Sequence, residues 1–584
     1  MPPELSRVPS PLSVTALLRP GSPWRRLAPA LDWCLGIRQL RRAYEQHQCS
    51  GLSPRDFAER ALTALGVSHR GGDELLAQVP RRGSALLVAN HPFGALEGIL
   101  LIALLAGHRS DVRILANRSL AVVPELKPLF IFTDPMTPGA PGNPGSIRAC
   151  HQHLAQGGLL VVFPAGRVSQ YQAGQARVAD DPWHRLAGKL ARDHTASVVP
   201  LFIAGGNSAS FHRLGRLHPR LRLLLLAREL LKARGREVAL YPGRCLDGPP
   251  EQGDARSDTH WYRWLCYAQD PAIQGRWPVS EASGLEPVAP PAPADALARE
   301  LAQLPAEQCL LEHRGYRVYY AEGEQIPQAL HEIRRLREAT FRHLDEGSGR
   351  PWDGDDFDLT YTHLFVYAPV TGEIIGAYRM GRSDRLLKES GMDGLYLNQI
   401  FDFPEDFINR HVPCLELGRS FIVPDYQRSF AGLLLLFKGI GVFLCRFPQY
   451  RHLYGTVSLT TQYRPLSVHV IERALATDQP QVRPLTPLSH PPAPELDDYL
   501  RAAGPLSLTR LDDLISQLEP DAKGLPVLLR QYAQLGARFH GVGIDHNFAN
   551  TPGLLLSVAM DEVPEKRLKR FLGNDAAEAY RNRT

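Results

Sequence analysis

Short unbroken apolar runs separated by polar, glycine-bearing stretches dominate the first half of the chain. Residues 85–88, 112–116, 159–163 and 198–203 are β-rich, and a helical stretch from about residue 95 follows the first of them. Such alternation predicts an α/β layer structure. The second half opens with a helical stretch over 326–342 and a strand-like run at 364–367. The segment GEIIGAYRMG over 372–381 then has the look of a hairpin, a Gly-containing turn joining two β-rich runs. A helix over 430–447 follows a Pro-Asp-Tyr turn, so mixed α/β structure is expected again. Near the N-terminus Trp24, Arg25, Arg26, Trp33, Leu35, Ile37, Arg38, Leu40, Arg41 and Arg42 mix aromatic, aliphatic and basic groups at near-helical spacing. That pattern fits two states equally: an interfacial membrane helix, or a helix packed on the domain with a solvated basic face.

The chain has 584 residues, more than the roughly 250–300 at which single cores stop growing. The stretch over 278–293, rich in Pro, Ala and Glu, supplies no periodic apolar face and reads as a linker. A second proline-rich stretch lies at 479–494. The expected division is an amphipathic helical segment (1–60), an α/β domain (61–277), a linker (278–300) and a mixed α/β domain (301–584) carrying the proline-rich insertion.

Composition narrows the partners. A net charge of +5 and a pI near 8.7 are too weakly basic to point to nucleic acid, yet suit an anionic membrane surface. The eight cysteines are scattered without a C-x-x-C pair or a Cys/His metal spacing, so a reduced compartment and no metal are expected. The opening Met-Pro-Pro-Glu is not a basic segment followed by an apolar run, so no secretory signal is expected, and no stretch reaches the roughly 18 apolar residues of a membrane span. Work on lipid would therefore proceed from the surface, as a cytoplasmic protein peripheral to the inner membrane.

Two constellations carry chemistry. In the first, the strand-like run ends in Asn90-His91-Pro92-Phe93-Gly94, with Glu97 six positions after the histidine. Acylating a hydroxyl requires a base near neutrality, and imidazole supplies one. A carboxylate partner fixes its tautomer and stabilises the imidazolium. Downstream stand Asn117-Arg118, Pro124-Glu125-Leu126, Phe163-Pro164-Ala165-Gly166-Arg167 and Val199-Pro200-Leu201. In this order the blocks resemble, over about 60–250, the lysophospholipid acyltransferase superfamily, in its branch with His-x5-Glu. The resemblance implies His91 as general base, Glu97 as its orienting acid, and Asn117, Arg118, Phe163, Pro164, Gly166, Arg167 and Pro200 as substrate-binding, with backbone donors near 163–166 for the oxyanion. Ala165, where the superfamily often has Glu, points away from a glycerol-phosphate acceptor.

The second constellation is Arg337-x-x-x-Phe341, Trp352, Asp355, Asp358, Arg379 and Glu416-Leu417-Gly418-Arg419-Ser420, followed by Tyr426-Gln427. Over about 308–475 and again 526–561 it resembles the N-acyltransferase fold of autoinducer synthases and ornithine N-acyltransferases. N-acylation needs a neutral amine, hence a carboxylate to take a proton, and Glu416 is the candidate. Arg379 and Arg419 suit either the acceptor's carboxylate or a pantetheine phosphate. Asp355 and Asp358 suit a side-chain ammonium or an ordering role, and the resemblance adds Arg337, Phe341 and Ser420 to the binding set. The turn Ser429-Phe430-Ala431-Gly432 is poor in glycine, which favours a carrier-borne arm over free coenzyme A.

Joined in this order, the halves resemble bifunctional ornithine lipid synthases. That resemblance implies acyl carrier protein thioester as co-substrate with no bound cofactor. It also implies ornithine and lyso-ornithine lipid as acceptors, the second half forming a 3-hydroxyacyl amide and the first esterifying its hydroxyl. Alternatives are a glycine or glutamine head group, a phospholipid-remodelling acyltransferase, and a non-catalytic acyl-carrier-binding protein.

Overall fold

The unbroken apolar runs of the first half become the central strands of a seven-stranded sheet. In the computed structural model, which describes residues 26, 28–134, 143–217, 219–278, 284–404, 407–408, 412–427, 431–476, 482–572 and 574–582, the sheet consists of β1 (Ser68–Arg70), β2 (Ala85–Ala89), β3 (Val112–Asn117), β4 (Phe130–Thr133), β5 (Leu159–Val162), β6 (Ser197–Ile203) and β7 (Glu237–Pro242), in the order β1-β7-β6-β2-β5-β3-β4, the four runs forming β2, β3, β5 and β6. All neighbouring pairs run parallel except β6 and β7. Every residue of β2 and β5 is buried, as expected of parallel strands covered on both faces. Helix α1 (Ile37–Gln46) buries Ala43 and lays Leu40 and Tyr44 against this core, while Arg38 and Arg42 are exposed. Of the two readings of the leading segment, 37–46 fits the packed helix. Trp24 and Arg25 lie outside the described residues. Helix α2 (Leu96–His108), apolar almost all round, follows β2, and α3 (Ala255–Tyr267) starts on an Asp254–Ser257 capping box.

The second sheet has eight strands: β8 (Cys309–His313), β9 (Tyr316–Glu322), β10 (Thr362–Ala368), β11 (Glu373–Arg382), β12 (Cys414–Ile422), β13 (His452–Ser458), β14 (Arg538–Asp545) and β15 (Thr551–Ala559). They are ordered β8-β9-β10-β11-β12-β13-β15-β14, antiparallel except for β12 beside β13. The segment expected to form a hairpin is one continuous strand. Its hairpin partner is β10, the turn lies at 369–372, and Gly376 sits inside β11, where the backbone of Phe421 comes too close for a side chain.

The chain divides into two units, Met1–Gln274 with Pro491–Pro505, and Gly275–His490 with Leu506–Thr584. Two boundaries thus differ from the expected ones. Residues 284–303 are part of the second unit: Glu286 and Ala289 donate backbone hydrogen bonds to Gly349 and Pro351, and helix α4 (Ala294–Gln303) buries Leu297 and Leu301. The helix Pro494–Ala503, at the end of the proline-rich insertion, belongs to the first unit and packs against α3. Residues 279–283 of the linker and 477–481 beside the insertion lie outside the described residues, as does 428–430 of the glycine-poor turn.

Candidate active sites

The first site is built where β2 runs out. Asn90 fastens the strand end to β6, donating to Ile203 O (2.9 Å) and accepting from Ile203 N (2.7 Å). His91 comes next, its backbone N–H donating to Asp180 Oδ1 (3.2 Å) and its C=O accepting from Ser169 N (2.8 Å). Gly94 turns the chain at φ +95°, a conformation in which glycine alone is unstrained. That turn brings Glu97, in the first turn of α2, back beneath the imidazole.

Glu97 Oε1 lies 2.8 Å from His91 Nδ1, although off the line of an ideal hydrogen bond, and also accepts from Phe93 N (3.0 Å) and Gly94 N (2.8 Å). Burial pushes its carboxyl up, but His91 and these donors outweigh burial and hold it below the usual carboxylate range. The carboxylate is thus ionised beside Nδ1, while the described residues offer Nε2 no hydrogen-bond partner. This is the arrangement of an imidazole base oriented by a buried acid.

Phe163 stacks on the His91 ring, centroids 4.4 Å apart and planes 26° off parallel. Its part is therefore to brace the base. Pro164 is buried, Arg167 exposed, and the Gly166 N–H is already spent on Phe163 O in the turn (2.9 Å). Gly166 is thus no oxyanion donor in this geometry. Asn117 ends β3 and Arg118 is exposed at its exit. Pro200 is buried inside β6 opposite Val88, in the sheet rather than at its edge, so it fits a packing role instead of the expected binding one.

The second site is a cleft where two parallel strands part. β12 and β13 pair from Cys414/His452 to Leu417/Gly455; beyond that β12 stays with β11 and β13 with β15. A bulge marks the parting on the β12 side, and within it Arg419 holds φ +47°, rare for a side chain of this size. Phe341, from helix α5 (Pro327–Arg342), lines the cleft with Arg379, Glu416, Arg419 and Ser420. Five of the expected residues therefore meet in one place.

Glu416 is buried, accepting from Tyr361 OH (3.1 Å) and Leu397 N (3.1 Å). Burial pushes its carboxyl up to about 7 against the counter-pull of Arg379, which suits a proton acceptor working near neutrality. Arg379 donates to Asp355 Oδ1 (2.5 Å) and lies against the ring of Tyr396 at 4.9 Å. Arg419 donates to Tyr396 OH (2.9 Å), lies 3.9 Å from Asp545 Oδ2 and covers the ring of Phe548 at 4.4 Å. Both cations are thus aimed before any ligand arrives.

Two expected binding residues are not open to a ligand. Arg337 is 1% exposed and its guanidinium is committed to Asp358 (2.7 Å) and Asp353 (3.1 Å). Asp358 is fully buried among Arg334 (2.8 Å), Arg337 and Arg379 (3.1 Å). Burial pushes its carboxyl up, but Arg337 and Arg379 hold it well below the usual range. With three guanidiniums on one carboxylate, no face is left for an ammonium; both residues position Arg379 instead. Asp355 is partly exposed, between Arg379 and Arg419.

Residues 30–237 match the family described as Acyltransferase, and 336–437 the Acetyltransferase (GNAT) domain. A protein of Phocaeicola vulgatus named lyso-glycine lipid O-acyltransferase is 30% identical over 198 residues, 32% of this chain and 68% of that one. The chain belongs to the acyltransferase family. A Bacteroides thetaiotaomicron protein named glycine N(alpha)-acyltransferase is 28% identical over 274 residues, 44% of this chain and 80% of its own. The crystal structure of the 1-acyl-sn-glycerophosphate acyltransferase PlsC from Thermotoga maritima aligns at 16% identity over 43% of this chain and 89% of that one, with a TM-score of 0.25, too low to bear on the fold.

The acyltransferase also uses groups that no sequence pattern singled out. Asp180, fully buried, holds His91 by its backbone, but lies 89 residues downstream in a segment with no motif. Tyr361, Tyr396 and Asp545 line the second cleft; all three fall within the stretches of resemblance but outside the motif residues that carry it. Glu125, in the second block, accepts from Tyr44 OH (2.7 Å) and Gly51 N (3.1 Å), which explains that block as a brace for the leading helix. Among the described residues no helix is long and apolar enough to cross a membrane, and no three His, Cys, Asp or Glu side chains cluster to hold a metal.

Proposed function

We propose that this acyltransferase builds a two-tailed aminolipid in two steps. In the second unit Glu416 takes a proton from the α-ammonium of an amino acid. The freed amine attacks the carbonyl carbon of a 3-hydroxyacyl thioester, an amide forms, and the carrier thiol leaves. In the first unit His91 Nε2 takes the proton of the amide's 3-hydroxyl while the oxygen attacks a second acyl thioester. An ester forms, and the imidazolium, stabilised by Glu97, returns the proton to the departing thiolate. Arg379 and Arg419 hold the acceptor's carboxylate or the phosphate of an acyl carrier protein's pantetheine. The single-tailed intermediate stays at the membrane surface.

The observation that carries this reading is the pairing, in one chain, of an imidazole backed by an ionised buried acid with a cleft holding a carboxylate poised near neutrality. Ornithine is the head group suggested by the order of the two halves. Glycine is the second reading, favoured by the names of the relatives.

Mass spectrometry of lipids from a host lacking aminolipids tests both steps, with labelled ornithine and glycine supplied. His91→Ala should accumulate the single-tailed lipid, and Glu416→Gln should abolish both products. Two-tailed lipid from the His91→Ala chain would overturn the assignment.

A further inference from the structure

The loop bearing His91 is held by a carboxylate whose hydrogen bonds, among the described residues, all come from neutral donors. Asp180 Oδ1 accepts from His91 N (3.2 Å) and Ser169 Oγ (2.5 Å), and Oδ2 from Trp183 Nε1 (2.9 Å). Two guanidiniums stand close by. Arg263 donates to the backbone oxygen of Asp180 (3.2 Å), and both Arg263 and Arg177 lie against the ring of Tyr267, at 5.7 and 5.2 Å. The Tyr267 hydroxyl in turn accepts from Asp180 N (2.8 Å). A charge-assisted hydrogen bond is roughly twice as strong as a neutral one, so a free Arg263 would compete for the Asp180 carboxylate.

Glu495 keeps it occupied. Its side chain is fully buried and pairs with Arg177 and with Arg263 (3.5 Å), while Asp498 takes the other end of Arg263 at 3.1 Å. Both acids come from the Pro494–Ala503 helix, more than 200 residues beyond the rest of the first unit. The helix is seated by Leu496 and Tyr499, both buried, with the Tyr499 ring 5.1 Å from Trp261 of α3.

We infer that the Pro491–Pro505 segment completes the site of the first unit, and that Glu495 is a positioning residue for His91: by neutralising Arg263 it leaves Asp180 free to hold the His91 loop. The inference rests on the reading of the first unit as the O-acylating one. Without the charge at 495, Arg263 draws the Asp180 carboxylate away from His91 N–H and the base shifts. A displacement of about 1 Å costs on the order of 10²-fold in rate.

The test uses the purified full chain, a synthetic N-(3-hydroxyacyl) amino acid as acceptor and an acyl-carrier thioester as donor. Glu495→Gln should lower kcat for ester formation at least about tenfold, with KM for the acceptor and the rate of amide formation unchanged. Glu495→Gln combined with Arg263→Gln, which removes the competing cation, should recover most of that kcat. If Glu495→Gln alone does not fold, the double variant carries the comparison, and a loss there beyond tenfold overturns the inference. A kcat unchanged in Glu495→Gln, or a loss that the second substitution does not relieve, would also overturn it. An unsubstituted chain that makes no ester would overturn the O-acylating reading, and the inference with it.

Discussion

Glu416 and Tyr361 meet at 3.1 Å in the lining of the second cleft, the phenol donating to a carboxylate that pairs with no guanidinium among the described residues. Burial pushes that carboxyl up to about 7, against an ordinary 4.5. The rate of amide formation should therefore rise with pH along a limb centred near 7, as the carboxylate becomes able to accept a proton. A pH–rate profile of the second step under single turnover checks this. A limb centred near 4.5 would exclude Glu416 as the base.

Stability runs the other way. A carboxyl whose pKa is raised by folding contributes stability that is complete below about 4.5 and is lost as pH rises through about 7. Glu416→Gln should therefore gain thermal stability over the unsubstituted chain at pH 8 but not at pH 4.5. Melting temperatures of the two proteins across that range supply the comparison.

Glu97→Gln retains the shape of the side chain and an oxygen for the Phe93 and Gly94 N–H groups, but removes the charge facing His91 Nδ1. Ester formation should fall by about 10² or more, on the scale of a lost acid–base partner, while amide formation continues. Supplying the single-tailed lipid directly and measuring its esterification isolates the effect.

Gly94→Ala places a Cβ 2.7 Å from Leu226 Cδ2 and 2.8 Å from Val168 Cγ2, at φ +95°. Each neighbour is a side-chain end, so part of the clash can relax; the backbone conformation cannot. The substitution should cost on the order of 1–2 kcal/mol, and esterification should drop further than stability does, since Gly94 N also holds Glu97. Chemical denaturation read beside the esterification rate separates the two effects.

Asp358→Asn leaves three guanidiniums around a neutral amide. Breaking a buried pair of this kind typically costs about 3–5 kcal/mol, so the denaturation midpoint of the second unit should fall steeply. Asp355→Asn, at a partly exposed acid, should cost less. Equal costs would contradict the positioning role of Asp358.

The elements legible in the sequence were those with strong local patterns. The unbroken run before Asn90 and the helix after it follow from periodicity and turn chemistry, while the pairing of Glu97 with His91 is implied by the resemblance of the motif, and the two side chains meet at 2.8 Å. In the second half Phe341, Arg379, Glu416, Arg419 and Ser420 likewise converge. Burial was not legible: an arginine and an aspartate such as Arg337 and Asp358 read alike whether they face a ligand or each other, and only their 2.7 Å separation inside the fold distinguishes the cases. Asp180 and Glu495 escaped for a related reason, since each acts across a long stretch of sequence through partners that carry no periodic signal. At 372–381 Gly376 suggests a turn, whereas close approach of the Phe421 backbone demands a glycine inside the strand.

The return of Pro491–Pro505 to the first unit sets a timetable for synthesis. Residue 274 leaves the ribosome more than 200 residues ahead of the helix that neutralises Arg177 and Arg263. At roughly 5–20 residues per second, the nascent first unit waits on the order of 10–45 s with both cations unmatched, so that its final ordering comes after most of the second unit has been translated.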